Sequence, residues 1–225
     1  MMTDKDLEKL MKKSSRKQLF KVTSLSAVMV MTILIGGLLL FNNHYNKWPF
    51  NKGKIEGVPD NTIQKLQGNN QYMNLLFPAE ENLQFNTYGN KVTVYMERYE
   101  KSTLKETTEL VTLSTDTAEK GHLSGRVQWG MIDWGVTEDN LKLALAVNQN
   151  EVTTSYTLKS KKDSISVNSG MSQSSEKLIS NKPVLIGFWG AGTDTITTAN
   201  YSEFGLVKED LETNSESFAL FLEVK

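Results

Sequence analysis

The chain has 225 residues, with 25 basic and 26 acidic side chains, so its formal net charge is −1. This near-neutral balance argues against nucleic acid as a partner, because phosphate binding needs a concentrated basic face. The chain has no cysteine, which excludes disulfides and the lipidation of a lipoprotein signal, and which fits a domain outside the cytoplasm.

The N-terminal segment, residues 1–21, is basic and predicts a cytoplasmic helix. Leu7, Leu10 and Met11 share one face of that helix, and Thr3 or Asp4 is suited to cap it. Two interpretations are open. Either the apolar face docks on a cytoplasmic or membrane-embedded protein partner, or the basic segment lies on membrane lipid, where each Lys or Arg near anionic headgroups contributes about 1 kcal/mol.

Residues 22–41 form an apolar stretch without a charged side chain. A helix of this length rises about 30 Å, which matches the hydrocarbon core of a bilayer, whereas the apolar region of a signal peptide has only about 7–15 residues. Asn42 and Asn43 follow the stretch, where a cleavage site would need small residues. The stretch therefore predicts one transmembrane helix that is retained as a signal anchor.

The basic residues on either side predict the orientation of this helix. Seven precede it and three follow it within comparable reach, and positive charge stays on the cytoplasmic side. We therefore expect a single-pass protein of the cell membrane with a cytoplasmic N-terminus and an extracellular C-terminal domain. His44, Tyr45 and Trp48 then lie where the far leaflet meets water, a common position for amphipathic rings.

The rest of the chain predicts a linker followed by one domain. Residues 42–60 contain prolines and glycines typical of a juxtamembrane linker. Residues 61–225 are enough for one good core and too few for two ordinary domains. At the start of this domain, Asn61 is suited to cap a short helix over "TIQKLQ".

Most of the domain favours strands, because apolar and polar residues alternate in it. The alternating segments are "KVTVYMERY" from Lys91, "LKLALAV" from Leu141, "VTTSYTL" from Val152 and "SFALFLEV" from Ser217. A helical alternative exists for "TEDNLKLALAV", because Thr137 and the acidic residues after it make a suitable helix start. Asn148–Asn150 predicts a hairpin turn. The expected fold class is a mainly β, antiparallel, sandwich-like extracytoplasmic domain on one N-terminal transmembrane helix.

No residue set in the domain predicts catalysis. His122 is close in sequence to Ser124 and Asp116, but a solvated loop histidine explains it better than a triad, and no pair of histidines has a metal-ligand spacing. The glycine cluster of residues 187–195 lacks the lysine of a phosphate-binding loop and favours a strand end that turns through a bulge. We therefore expect no enzyme activity, no catalytic or metal-binding residue and no cofactor.

Three tryptophans are candidate binding residues. Trp129 and Trp134 have opposite parity, so both cannot face inward on one regular strand, and Trp189 lies in the glycine cluster. Tryptophan in a β domain is most often a core residue, whereas an exposed one marks a surface for an envelope ligand. The partner-binding candidates are Leu7, Leu10, Met11, Trp129, Trp134 and Trp189.

The segment "DLEKLMKKSSRKQLFK", followed directly by a spanning helix and an outer domain, resembles the N-terminal module of sigma factor regulator proteins. These are membrane-bound partners of extracytoplasmic-function sigma factors in Gram-positive bacteria. The segments "VTVYMERYEK" and "NKPVLIGFWGAG" are similar to envelope domains of the same bacteria. The resemblance implies an anti-sigma-like regulator or sensor, and the alternative is a membrane-anchored envelope-binding module without a signalling role.

Overall fold

The computed structural model of the chain describes residues 4–66, 80–115, 121–132, 140–157, 164–168, 171, 173–192, 201–202, 205–206, 211–212 and 214–225. A long helix, α1 (Asp4–His44), comes first, and antiparallel strands follow it. The strands are β1 (Thr62–Lys65), β2 (Glu80–Tyr88), β3 (Lys91–Glu100), β4 (Thr103–Ser114), β5 (His122–Ile132), β6 (Asn140–Val147), β7 (Asn150–Thr157), β8 (Ser164–Asn168), β9 (Ser175–Lys177), β10 (Val184–Gly192), β11 (Tyr201–Ser202), β12 (Gly205–Leu206) and β13 (Glu216–Val224).

Helix α1 carries the predicted apolar stretch. From Met11 to His44 it is long and apolar enough to cross a membrane, and its most apolar part is not buried against the rest of the chain. The four hydroxyl groups of its apolar stretch donate to carbonyl oxygens of the helix, as where Thr32 Oγ1 donates to the Val28 carbonyl oxygen at 2.9 Å. Such bonds satisfy hydroxyl groups in a medium without water. The helix therefore has the properties of a membrane anchor.

Two antiparallel sheets form most of the C-terminal domain. Six strands lie in the order β7-β6-β5-β2-β1-β9, and five lie in the order β4-β3-β13-β10-β8. A small third sheet pairs β11 with β12. The strands β2 and β3 are consecutive but belong to different sheets, so the short connection between them crosses from one sheet to the other. This arrangement confirms the predicted β-rich domain on a single helix.

The two large sheets bury one apolar core between them. In β13 the even-numbered residues face this core, because successive side chains of a strand point to opposite faces. In β3 the core residues Val94 and Met96 lie opposite Leu222 and Leu220 of β13. The other sheet adds Leu83 and Phe85 from β2, Val127 and Trp129 from β5, and Leu143, Leu145 and Val147 from β6.

A β-bulge in β10 changes which of its side chains face the core. Ile186 is an extra residue between the paired positions Leu185 and Gly187. Leu185 precedes the bulge and lies in a second buried cluster, whereas Trp189 follows it, has the same parity and faces the main core. The bulge expected near the glycine-rich end of this strand therefore lies inside the strand.

The predicted hairpin is formed by β6 and β7. The segment "LKLALAV" belongs to a strand, so its helical alternative is wrong: β6 pairs with strands on both sides and buries Leu143, Leu145 and Val147. Asn148 occupies the turn with a positive φ of 56°, a conformation that asparagine adopts more readily than most residues. Thr137, the proposed helix start, lies outside the described residues.

The short helix predicted after Asp60 is wrong. Thr62–Lys65 forms β1, which pairs with β2 on one side and β9 on the other. Asn61 is not a helix cap: its φ is 51°, and its side-chain oxygen accepts a hydrogen bond of 2.9 Å from the Tyr88 amide. Ile63 is fully buried. A single apolar residue in β1 gives no readable period, so pairing with two neighbours decides the structure of this segment.

Candidate functional site at the junction of helix and sheet

Residues 45–60, here called the junction segment, connect α1 to β1 and fall within the predicted linker. The segment folds back on the end of the helix. The Gly57 amide donates to the Tyr45 carbonyl oxygen at 2.8 Å, and Asn46 Nδ2 donates to the Val58 carbonyl oxygen at 2.7 Å. Asn46 is only 2% exposed and has φ of 48°, so it ends the helix in the left-handed conformation. The junction segment is a folded part of the molecule.

Asn86 of β2 fastens the junction segment to the outer face of the six-stranded sheet. Its Nδ2 donates to the carbonyl oxygens of Ile55 and Val58 at 2.8 and 2.7 Å, and its Oδ1 accepts from the Ile55 amide at 2.9 Å. The residue is fully buried. A side-chain amide has two donors and one acceptor oxygen, and here every one of these groups has a partner. One side chain therefore satisfies three backbone groups of the junction segment.

Lys54 and Asp60 form an ion pair inside the same segment. Lys54 Nζ lies 2.8 and 2.7 Å from the two carboxylate oxygens of Asp60, and it donates to the Tyr88 hydroxyl at 2.9 Å. Asn46 Nδ2 donates to Asp60 Oδ1 at 2.9 Å. The pair thus connects the helix end, through Asn46, with the end of β2, at Tyr88.

The two charged groups of this pair stabilise each other's ionised forms. Burial alone would lower the pKa of Lys54, but the hydrogen bonds to Asp60 and Tyr88 and the carboxylate charge outweigh it and raise that pKa. For Asp60, burial would raise the pKa, but the hydrogen bonds from Lys54 and Asn46 and the ammonium charge lower it. The pair therefore stays ionised at neutral pH.

His122, at the start of β5, borders this pair. Its ring packs edge-on against Tyr88, with the ring centroids 5.4 Å apart. Burial lowers the pKa of His122, and the positive charge of Lys54 lowers it further, although Asp60 acts in the opposite direction. Its Nε2 atom is buried and has no hydrogen-bond partner among the described residues. The arrangement therefore favours neutral histidine.

The catalytic arrangement considered for His122 is not assembled in the described residues. Ser124 Oγ donates to the Gly53 carbonyl oxygen at 3.0 Å, so it serves the junction segment. Asp116 lies outside the described residues. Within the part of the chain that the structure describes, no three His, Cys, Asp or Glu side chains form a group that could hold a metal ion.

The tryptophan candidates lie in the core where they are described. Trp129 and Trp189 are 2% and 1% exposed, and their rings are 5.9 Å apart. Trp129 Nε1 donates to the Ile186 carbonyl oxygen at 2.7 Å, which connects β5 with the bulge in the opposite sheet. Neither ring is exposed to a partner, and Trp134 lies outside the described residues.

The candidate residues of the N-terminal segment all lie in α1. Met11 is 67% exposed. Leu7 and Leu10 are within the helix, but their side chains are outside the described part. The helix continues without interruption from this segment into the apolar stretch, so the predicted cytoplasmic and spanning parts form one element.

Sequence reasoning missed the residues of the junction. Lys54 and Asp60 are separated from Asn86 and Tyr88 by more than 25 residues. No local motif therefore joins the two groups. One signal was available: asparagine is depleted in strands, yet "LQFNTYG" places one inside a strand pattern. A buried asparagine in a strand needs partners, so it points to a segment packed over that strand.

This geometry defines a class: a β-sandwich domain joined by a folded junction to one apolar, membrane-length helix. Residues 78–223, more than half of the chain, match the family model described as the YgaN domain. The chain therefore belongs to the YgaN domain family. A comparison with curated proteins and one with solved structures gave no match.

The family match includes β2 to β12 and all but the last residue of β13, and it does not include β1. In this chain β1 lies inside the six-stranded sheet, between β2 and β9, and Ile63 belongs to the main core. The segment next to the helix therefore supplies one internal strand of the domain.

Proposed function

We propose that this protein is a single-pass membrane protein of regulatory or sensing type. Its N-terminus is cytoplasmic, its β domain lies outside the cell, and α1 transmits changes in that domain to the cytoplasmic side. The asymmetry of basic residues around the apolar stretch supports this orientation. The proposal assigns no catalysis to the domain.

The folded junction carries this proposal. A merely anchored domain needs only a loose tether, whereas transmission needs an element that moves together with the helix. Here Asn46 at the helix end bonds to Val58 and Asp60, Asn86 holds the same segment on β2, and β1 continues into the sheet. A displacement of the domain therefore has a continuous hydrogen-bonded route to α1.

The cytoplasmic end of α1 is the proposed output. Leu7, Leu10 and Met11 lie at positions that share one helical face, which suits docking on a protein partner. The resemblance to sigma factor regulators makes an extracytoplasmic-function sigma factor the specific candidate for that partner. Since the same helix continues from this face through the whole apolar stretch, a rotation or shift of its outer end would change the presentation of this face.

Crosslinking in membranes tests the proposal. Replacing Leu7, Leu10 and Met11 with Ser removes apolar contact area worth about 1.5–3 kcal/mol per side chain, so copurification of a cytoplasmic partner should be lost. A matched variant, Lys12→Gln with Lys13→Gln, keeps the apolar face and should keep the partner. Equal recovery with wild type and the Ser variant, or no partner with either, would contradict the regulatory function.

A second candidate function is an envelope-binding module that the helix only anchors. The exposed side chains of Arg126 and Gln128 favour it, because they lie on the outer face of β5, an internal strand of the six-stranded sheet. This polar face suits a polar envelope ligand. Arg126→Ala with Gln128→Ala should then abolish retention on isolated envelopes and leave the crosslinked cytoplasmic partner unchanged.

A further inference from the structure

The turn that follows α1 exposes aromatic side chains. Trp48 is 76% exposed and Phe50 is 36% exposed, whereas the other described tryptophans are buried. The basic residues Lys47 and Lys52 lie on the same turn, and Lys52 is exposed. Residues 47–52 are called the interfacial turn below. Tryptophan is enriched where a membrane meets water, and lysine stems extend from that layer to the headgroups.

Hydrogen bonds place this turn beside the last part of the helix. Asn42 Nδ2 donates to the Trp48 carbonyl oxygen at 3.0 Å, and the Lys47 amide donates to the Asn42 carbonyl oxygen at 2.7 Å. Lys47 Nζ lies 5.0 Å from the centroid of the Phe41 ring. Phe41 ends the apolar stretch, so the backbone of Trp48 returns to the level at which that stretch ends.

We propose that the interfacial turn is a second membrane contact, with Trp48 and Phe50 in the headgroup region and Lys47 and Lys52 near lipid phosphates. This inference rests on the membrane anchor of the proposed function. The turn is built into the junction, since Asn46 next to it is buried and bonded to Asp60. Attachment at both the helix and the turn therefore fixes the tilt of the β domain above the membrane.

Lipid is the favoured partner of the interfacial turn because the exposed surface of the turn is continuous with the exposed apolar surface of α1. Large apolar side chains of α1 are exposed up to Leu40 (73%) and Phe41 (49%), and the turn adjoins them. An amphipathic tryptophan combines an apolar ring with a donor that headgroups can satisfy. Lysine stems suit the same layer, with their ammonium groups at phosphates.

Site-directed spin labelling of the full chain in phosphatidylcholine–phosphatidylglycerol vesicles tests this proposal. Because the chain has no cysteine, Lys52→Cys provides a single labelling site that leaves both aromatic residues in place. Leu34→Cys, in the apolar stretch, and Lys101→Cys, at the turn between β3 and β4, are the membrane and water references. Collision of each label with a water-soluble nickel chelate is measured.

We expect the label at position 52 to show a clear loss of nickel accessibility relative to position 101. Adding Trp48→Ser and Phe50→Ser should restore that accessibility. Equal accessibility at positions 52 and 101, with the label at 34 protected, would overturn the interfacial contact and leave the anchor intact. An accessible label at 34 would instead overturn the anchor itself. Protection of position 52 in native membranes but not in lipid vesicles would assign the turn to a protein partner and also overturn the proposal.

Discussion

Asn86 and Ile55 are joined by two hydrogen bonds of opposite direction: the Ile55 amide donates to Asn86 Oδ1 at 2.9 Å, and Asn86 Nδ2 donates to the Ile55 carbonyl oxygen at 2.8 Å. The side chain of Asn86 therefore pairs with Ile55 as the backbone of a neighbouring strand would. This pairing holds the junction segment on the sheet although no strand lies there.

Replacing Asn86 tests the contribution of this pairing. Asn86→Ala removes the hydrogen bonds to the amide and carbonyl of Ile55, whereas the Val58 carbonyl oxygen keeps its bond from Asn46. The lost hydrogen bonds contribute about 0.5–1.5 kcal/mol each. We expect a lower free energy of unfolding, measured by chemical denaturation in detergent. Asn90→Ala is the matched control, because Asn90 is exposed in the turn before β3. Equal effects of the two substitutions would show that the pairing contributes nothing.

The sandwich should depend on the hydrogen bond between Trp129 and the bulge in β10. Trp129→Phe leaves the Ile186 carbonyl oxygen without the indole donor, which adds about 1–3 kcal/mol to the cost of the smaller ring. Trp189→Phe makes the same change in a buried ring whose Nε1 has no partner among the described residues. Denaturant titration should show the larger loss for Trp129→Phe, and the reverse order would refute this role.

Stability should fall on acidification around the ordinary histidine pKa of 6.5. The pKa of His122 is lower in the folded protein than in the unfolded chain. As the pH falls, the unfolded chain therefore binds a proton first. The contribution of neutral His122 to the free energy of unfolding is thus present above pH 6.5 and lost below it. His122→Gln should flatten this part of the curve of unfolding free energy against pH. His44→Gln, at the exposed end of α1, is the control. A slope unchanged by His122→Gln but abolished by His44→Gln would contradict the assignment.

Truncation tests whether β1 belongs to the folded unit. A chain of residues 45–225 keeps β1 and the junction segment, so it should be soluble with a circular dichroism spectrum dominated by strand. A chain that starts at residue 67 loses the internal strand between β2 and β9 and the buried Ile63, and it should aggregate or lose cooperative unfolding. Cooperative folding of the shorter chain with equal stability would show that β1 is dispensable.

The sequence predicted correctly those elements whose residues show a clear local pattern. Alternation in β3, β6 and β13 predicted strands whose core faces are buried as expected, because a period of two fixes the face. The length of the apolar stretch likewise predicted the helix. For β1, one apolar residue between polar neighbours carried no period, and a capping interpretation of Asn61 led to the wrong element.

The junction could not be predicted because its contacts are distant in sequence. Asn86 meets Ile55 across 31 residues, and Lys54 meets Tyr88 across 34. Prolines and glycines in this segment indicated irregular structure, which is correct. An irregular segment is either a loose tether or a packed part of the domain, and the distinction depends on whether distant residues hydrogen-bond to it. The bulge at Ile186 likewise changed the parity of β10, so the inward position of Trp189 needed the pairing with β13.

The most direct test of the central claim is a distance between the helix end and the domain. Asn43→Cys, on α1, and Arg126→Cys, on β5, are both exposed positions in a chain without other cysteines, and spin labels at both can be measured by double electron–electron resonance in vesicles. A folded junction predicts one narrow distance distribution, which should broaden when Asn86→Ala is added. A broad distribution in the otherwise unchanged chain, with no effect of Asn86→Ala, would show a free linker and contradict transmission through the junction.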